Sequence, residues 1–227
     1  MATIIDGSGS ADFHTPLPVA EGGTGVTAST GSGNVVLSAS PTLTGTVSAA
    51  ALTLTTPLPV ASGGTGSATG ASSITLGTVA ATTSGTSIDF TGIPSGVKCV
   101  VVMFNGVSTN GVAKWRLQIG TSGGLQTSGY LSTASYDIGG GFNDTAGFAM
   151  YHDAAADLRH GHLTLNLLDS SNGTWCLSGL CAWSNRAYIL PSVGTKILSG
   201  TLDRVRLTTA NGTDAFDAGS VNISWEF

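Results

Sequence analysis

Three histidines cluster in the second half of the chain, His152, His160 and His162. Alternate residues of a strand share a face, so an extended His160-Gly161-His162 puts both imidazoles on one side. Three copies of that pair about an axis would present six ring nitrogens, a donor set suited to a first-row transition metal. His160 and His162 are therefore the metal candidates. The plainer alternative is an exposed turn beside Asp157-Leu-Arg-His160, with the rings hydrogen-bonded locally. Gly120-Thr-Ser122-Gly-Gly124 matches the G-x-S-x-G pattern, in which a strained strand-to-helix turn exposes a serine nucleophile. No helical pattern follows it, and a chain with 33 glycines produces such matches by chance, so Ser122 is assigned to a hairpin loop. Sugar hydrolysis would need two carboxylates across a groove. Asp153, Asp157, Asp169, Asp203, Asp214 and Asp217 are available, but no spacing pairs them, and loop aspartates commonly bond their own backbone. Asp6-Gly-Ser-Gly-Ser-Ala-Asp12 has the outline of a calcium loop without its closing glutamate. The expectation is a non-enzymatic chain with no cofactor.

Recognition is a different chemistry. Flat aromatic rings stack on sugar faces while polar neighbours bond hydroxyls. Tyr130, Tyr136, Phe142, Tyr151 and Tyr188 lie in stretches rich in glycine or turn formers, and are the receptor-binding candidates. Trp115, Trp175, Trp183 and Trp225 fall in strand patterns and are assigned to the core. The Gly-rich, weakly patterned stretch 122–144 is expected to be an apical loop.

These residues have to be positioned by strands. Apolar and polar residues alternate in Ile74–Val79, Ser87–Phe90, Val97–Phe104, Lys114–Ile119, His162–Leu167, Thr174–Trp183, Arg204–Leu207 and Val221–Trp225. Asn-Gly steps at Asn105, Asn110, Asn172 and Asn211 are hairpin signals. The pattern predicts an all-β domain over residues 72–227, an antiparallel β-sandwich or jelly roll. Only Asp153-Ala-Ala-Ala-Asp-Leu158 suggests a helical turn.

Residues 1–71 differ in kind. The first 97 residues hold no Lys or Arg, and 14 of the 15 aromatic residues lie at Phe90 or later, so this part cannot supply its own core. Thr15-Pro-Leu-Pro-Val-Ala-Glu-Gly-Gly-Thr-Gly25 returns as Thr56-Pro-Leu-Pro-Val-Ala-Ser-Gly-Gly-Thr-Gly66, a period of 41 with one change in eleven positions. Pro16, Pro18, Pro57 and Pro59 favour extended backbone. Gly22, Gly23, Gly25, Gly63, Gly64 and Gly66 permit turns or close chain approach. A repeat that cannot bury its own apolar side stacks on neighbours, here other chains, so an extended oligomeric stem is expected. A flexible Gly/Ser/Thr linker is the alternative.

Composition narrows the partners. Eight Lys and Arg against 13 Asp and Glu, with no basic stripe, make nucleic acid a poor partner. No basic leader and no 18-residue apolar run occur, so no membrane insertion is expected. Cys99, Cys176 and Cys181 have neither metal-site spacing nor an even count, which fits reduced thiols and assembly in a cytoplasm.

The two Pro-Leu-Pro-Val-Ala-x-Gly-Gly-Thr-Gly segments, with Ser40-Pro-Thr-Leu-Thr-Gly45 between them, resemble the repeat of tail-fibre and tail-spike proteins of tailed bacteriophages. Gly92-Ile-Pro-Ser-Gly-Val-Lys98, Val102-Met-Phe-Asn-Gly-Val-Ser108, Gln118-Ile-Gly-Thr-Ser-Gly-Gly124 and Ser199-Gly-Thr-Leu-Asp-Arg-Val-Arg206 resemble a C-terminal domain that such fibres carry. The resemblance implies a virion protein, homotrimeric, whose first residues attach to tail, baseplate or capsid proteins. Its distal β domain would meet a host surface glycan or protein. It also implies that His-x-His pairs at some fibre tips hold iron. The chain is short for that family and has only two repeats. A head fibre, capsid decoration or tail adaptor contacting other viral proteins is the alternative.

Overall fold

A computed structural model describes residues 74–136 and 139–227. The expected stem, with its proline and glycine repeats, lies outside the described residues. Among these there is no helix. The strands in order are β1 (Ile74–Leu76), β2 (Ala80–Ala81), β3 (Ser87–Thr91), β4 (Cys99–Thr109), β5 (Trp115–Thr121), β6 (Gly124–Leu125) and β7 (Tyr130–Ser135). They continue with β8 (Gly141–Asp144), β9 (Phe148–Met150), β10 (Arg159–Asp169), β11 (Thr174–Trp183), β12 (Tyr188–Ile197), β13 (Arg204–Thr209) and β14 (Phe216–Glu226). Every pairing is antiparallel. Nine strands form one sheet in the order β1-β14-β4-β10-β11-β12-β7-β8, with β2 also on β14. Five form the other, β3-β13-β5-β6, with β9 also on β5.

Alternation explains the layering, because side chains of a strand point to opposite faces. Val100, Val102 and Phe104 on β4, Leu163 and Leu165 on β10, and Trp175, Leu177 and Trp183 on β11 are buried. They belong to one core with Trp115, Leu117 and Ile119 on β5 and Val205 and Leu207 on β13. Burying each such aliphatic side chain stabilises the fold by about 1.5–3 kcal/mol. The expected all-β, antiparallel character is present, and Trp115, Trp175 and Trp183 lie in the core; Trp225 is half-buried.

Three stretches depart from expectation. Residues 122–144 are largely strand, comprising β6, β7 and β8, and β7 pairs with β12 from Tyr130 to Ala134. The pattern there is thin because the inward residues are Tyr130, Ser132 and Ala134, with little apolar bulk. β12 is ten residues long despite Pro191, which argues against a central strand. Its pairing with β7 spans only Ser192–Lys196, so the proline, which has no N–H to give, lies beyond that ladder. Asp153–Leu158 forms a tight turn, with Ala156 at φ 63°, instead of a turn of helix. The Ala156 N–H goes to the Thr109 carbonyl, so a long-range bond replaces the local one.

The sheets have two distinct ends. Ile74 pairs with Glu226, and Glu226 with Cys99, so the chain enters where β4 starts and β10 finishes. The β11–β12 turn and the start of β10 lie at the other end. From Asn166, opposite Cys99, back to Arg159 is seven residues of strand, or about 23 Å.

Candidate functional site: an aromatic and ionic patch

Tyr136 follows β7, Tyr151 follows β9 and Tyr188 opens β12, so three separate segments deliver three of the aromatic candidates to the end remote from Ile74. Tyr136 lies 4.8 Å from Tyr151 and 5.7 Å from Tyr188 between ring centroids. Trp183 is behind them, 6.1 Å from both Tyr151 and Tyr188. Gly140 makes room for this: a Cβ there would meet Tyr136 Cε1 at 1.9 Å and the Tyr151 hydroxyl at 2.7 Å.

The β11–β12 turn carries Arg186 over the rings of Trp183 and Tyr188, at 4.8 and 5.0 Å. One nitrogen, Nη1, donates to Asp153 Oδ1 at 2.6 Å and to Asp157 Oδ2 at 2.9 Å. Those bonds hold the guanidinium's proton above its ordinary value, while burial pushes the Asp157 carboxyl up against the opposing pull of Arg186. Lys114 Nζ lies 3.7 Å from the Tyr151 ring centroid and donates to the His152 carbonyl at 2.6 Å. Burial lowers the Lys114 ammonium and raises the Tyr151 phenol, the latter helped by Asp153. Asn185 ties the turn to the segment before β10, accepting from Leu158 N and donating to Ala156 O.

Beneath the patch is an interior polar layer. Arg159 is fully buried over the Trp115 ring, at 4.7 Å, and donates to the Tyr151 carbonyl. His152 stacks on Trp115 at 4.6 Å. Its Nε2 is 3.0 Å from Thr109 Oγ1 and 3.3 Å from the Gly111 carbonyl. A carbonyl only accepts, which assigns the ring hydrogen to Nε2. Burial, with the Arg159 charge acting in the same sense, lowers His152 to about 4. The imidazole is neutral at pH 7.

The remaining candidates lie elsewhere. Tyr130 is fully buried, edge-on to Phe148, its hydroxyl accepting from Ile119 N and donating to Gln126 O. Burial raises its phenol to about 12. It is a packing residue, which corrects the surface role expected of it. Phe142, on β8, packs half-buried against the core. His160 and His162 both point outward from β10, as alternation requires. Opposite His160 the neighbouring strand β4 is bulged, Phe104 to Val107 facing the shorter run Arg159 to Gly161 of β10, and Gly161 has a φ of +118°. His160 Nδ1 accepts the Gly106 N–H of β4 at 3.3 Å, so the residue lies in a strand and not in the exposed turn of the plainer alternative. Among the described residues no cluster of three or more His, Cys, Asp or Glu could hold a metal ion. Ser122 is exposed between β5 and β6. Asp169 and Asp214 close their own turns, through Ser171 and Asn211.

Sequence reasoning found the rings and had Asp153 and Asp157 among the available carboxylates, but it missed Arg186 and Lys114 and the pairing that only the fold brings about. Asp153 and Asp157 are close together, yet the Arg186 nitrogen fills the gap that a sugar oxygen would occupy between hydrolytic carboxylates. Tyr151 is buried in the core at 7 % exposure, which corrects the surface role expected of it as well, so the ring area left at this end is that of the half-buried Tyr136 and Tyr188. A second concavity, a cleft of about 520 Å³ lined by Pro94, Leu167, Trp175 and the hydroxyls of Ser170, Ser199 and Thr201, lies at the Ile74 end.

No protein-family model, curated protein or solved structure matches the chain.

Proposed function

We propose that the chain is a non-enzymatic fibre or spike protein of a tailed-bacteriophage virion, homotrimeric, attaching the particle to a host surface glycan or protein through residues 72–227. The repeat-bearing first 71 residues serve as stem and virion attachment. One observation carries the reading beyond the sequence resemblance. The chain enters the sheets at Ile74, about 23 Å along the strands from the Tyr136–Tyr151–Tyr188 patch. The patch therefore lies at the end of the sheets opposite the first described residue. The Tyr136 and Tyr188 rings with Arg186 are suited to pyranose faces and hydroxyls. Several weak contacts per particle add up by avidity.

The test is adsorption of the purified full chain to candidate host cells. Arg186→Ala with Tyr188→Ala is expected to weaken binding about tenfold, equivalent to about 1.4 kcal/mol. Equal binding by the variant would remove the patch from the proposal, and no binding to any host by the unmodified chain would favour the head-fibre or adaptor role.

A further inference from the structure

The outer face of the nine-stranded sheet is unusual for a surface in water. Leu131, Leu180, Ile189, Val193 and Ile197 point outward from three adjacent strands and are 46–74 % exposed. Met103 on β4 is separated from Leu180 by the exposed His162, which pairs with both, so the contiguous apolar patch spans β11, β12 and β7. Among the described residues, the outward positions from β14 to β8 include no Lys or Arg. The carboxylates lie at the margin: Glu226 at the end of β14, and Asp169 in a turn bonded to Ser171. Scattered exposed apolar residues are ordinary, but a contiguous patch of this kind marks a covered surface.

We infer that this face packs against the same face of other copies of the chain. Size is the first argument. Six strands from β14 to β7, at about 4.8 Å spacing, and some seven residues of length give about 29 by 23 Å, or roughly 670 Å². That is close to the roughly 800 Å² per partner of a standard stable interface. Charge is the second. The chain carries net charge −5, so copies repel, and the face that can approach its own image is the one without charges in its middle. Composition is the third, since the aliphatic side chains of β11, β12 and β7, flanked by Thr, Ser and Asn and bordered on β10 by His160 and His162, are matched apolar to apolar, as stacked sheets are. In the homotrimer proposed above the face would be divided between two neighbours about the axis; the inference itself stands without any assumption about phage or host.

Two thiols lie on this face and report on its cover: Cys99 on β4 and Cys176 on β11, both half-buried, whereas Cys181 on the inward side is buried. Maleimide labelling of the full chain at Cys176, together with solution mass, tests the inference. Expected are an oligomer in which Cys176 labels at least tenfold more slowly than in Leu180→Glu/Val193→Glu, and a variant that keeps its far-ultraviolet spectrum. Leu180→Thr/Val193→Thr, which retains strand-forming residues, guards against a variant that fails to fold and should accelerate labelling in the same direction. A monomer at 100 μM would overturn the inference. So would an oligomer whose Cys176 labels equally fast with and without the substitutions, which would leave oligomerisation to residues 1–73 and the fibre proposal intact. Flotation of the unmodified chain with neutral lipid vesicles would also overturn it, giving the face to a membrane. Slow labelling that the variants relieve, combined with no adsorption to any host, would sustain the interface and sink the attachment role.

Discussion

The two sheets share one core but treat charge in opposite ways. On the five-stranded sheet the rule is ordinary: Arg116, Arg204 and Arg206 point out and find carboxylates, while Trp115, Leu117, Val205 and Leu207 point in. On the nine-stranded sheet Arg159, Lys196 and Asp144 are buried, and Leu131, Leu180, Ile189, Val193 and Ile197 face out. Inverting polarity costs stability twice, in desolvated charge and in hydrated hydrocarbon. A sheet tolerates that where its outside is covered and its inside positions something. Here Arg159 supports the aromatic patch through the Tyr151 carbonyl, whereas Lys196 lies over Tyr130 and Asp144 is paired with Arg116.

The sharpest way to break this contrast is at Arg159. Among the described residues it forms no ion pair with a carboxylate, and its Nε and Nη1 lack hydrogen-bond partners. Arg159→Ala removes the packing on Trp115 and the bond to the Tyr151 carbonyl, and is expected to destabilise by about 3–5 kcal/mol in urea unfolding at fixed protein concentration. Arg159→Met fills the same space without the charge, and is expected to lie within about 1 kcal/mol of the parent. If Met costs as much as Ala, the charge itself is satisfied and the inversion is only apparent.

Acid comes next. His152 titrates at about 4 in the folded chain against an ordinary value of 6.5. Between those values the unfolded chain takes up a proton that the folded one refuses, so stability falls as pH drops from about 6.5 to about 4 and is level above. The fall from 6.5 to about 4 corresponds to roughly 3 kcal/mol. His152→Gln should flatten that slope in unfolding measured at pH 4, 5 and 7. Asp169 and Asp214, held below their ordinary value by Ser171 and Asn211, lose their contributions at lower pH and do not produce this slope.

How much of this was legible beforehand follows from where the signal resides. β5, β10, β11, β13 and β14 announce themselves through alternation of large apolar residues, a local property. β7 and β12 do not, because Ser132, Ala134, Pro191 and Gly194 carry no such signal, and their pairing is what makes them strands. Tyr130 sits beside Gly129 in a stretch expected to be loop, so its ring was placed at the surface. Once β7 is a strand, Tyr130 and Ala134 fall inward and Leu131 outward by alternation. Tyr136, Tyr151 and Tyr188 were found by residue type. Arg186 and its carboxylates come from positions about 30 residues apart, and only the fold joins them.

Gly140 tests whether the inner support or the loop itself holds the patch. Gly140→Ala pushes a methyl into the Tyr136 ring, and is expected to cost about 1–3 kcal/mol and to change the near-ultraviolet spectrum of the tyrosines. An unchanged spectrum would mean that the rings are not locked by packing.

The smallest effect is expected on the ordinary sheet. Arg206 donates through Nε to Asp89 Oδ1 at 2.6 Å and through Nη2 to Asp89 Oδ2 at 2.7 Å, across paired strands. The geometry is bidentate and well formed, and the bonds raise the guanidinium's proton affinity. Both side chains are about one-third or more exposed, so water and salt screen the attraction and the residues lose side-chain freedom in making it. Arg206→Ala, Asp89→Ala and the double variant should give a coupling below about 1 kcal/mol that fades further in 1 M salt. Loss of a charge from this face then matters less than gain of one on the other, where Val193→Glu meets a covered surface. A coupling above 2 kcal/mol at Arg206 would place the five-stranded face out of water as well, and the opposition between the two sheets would collapse.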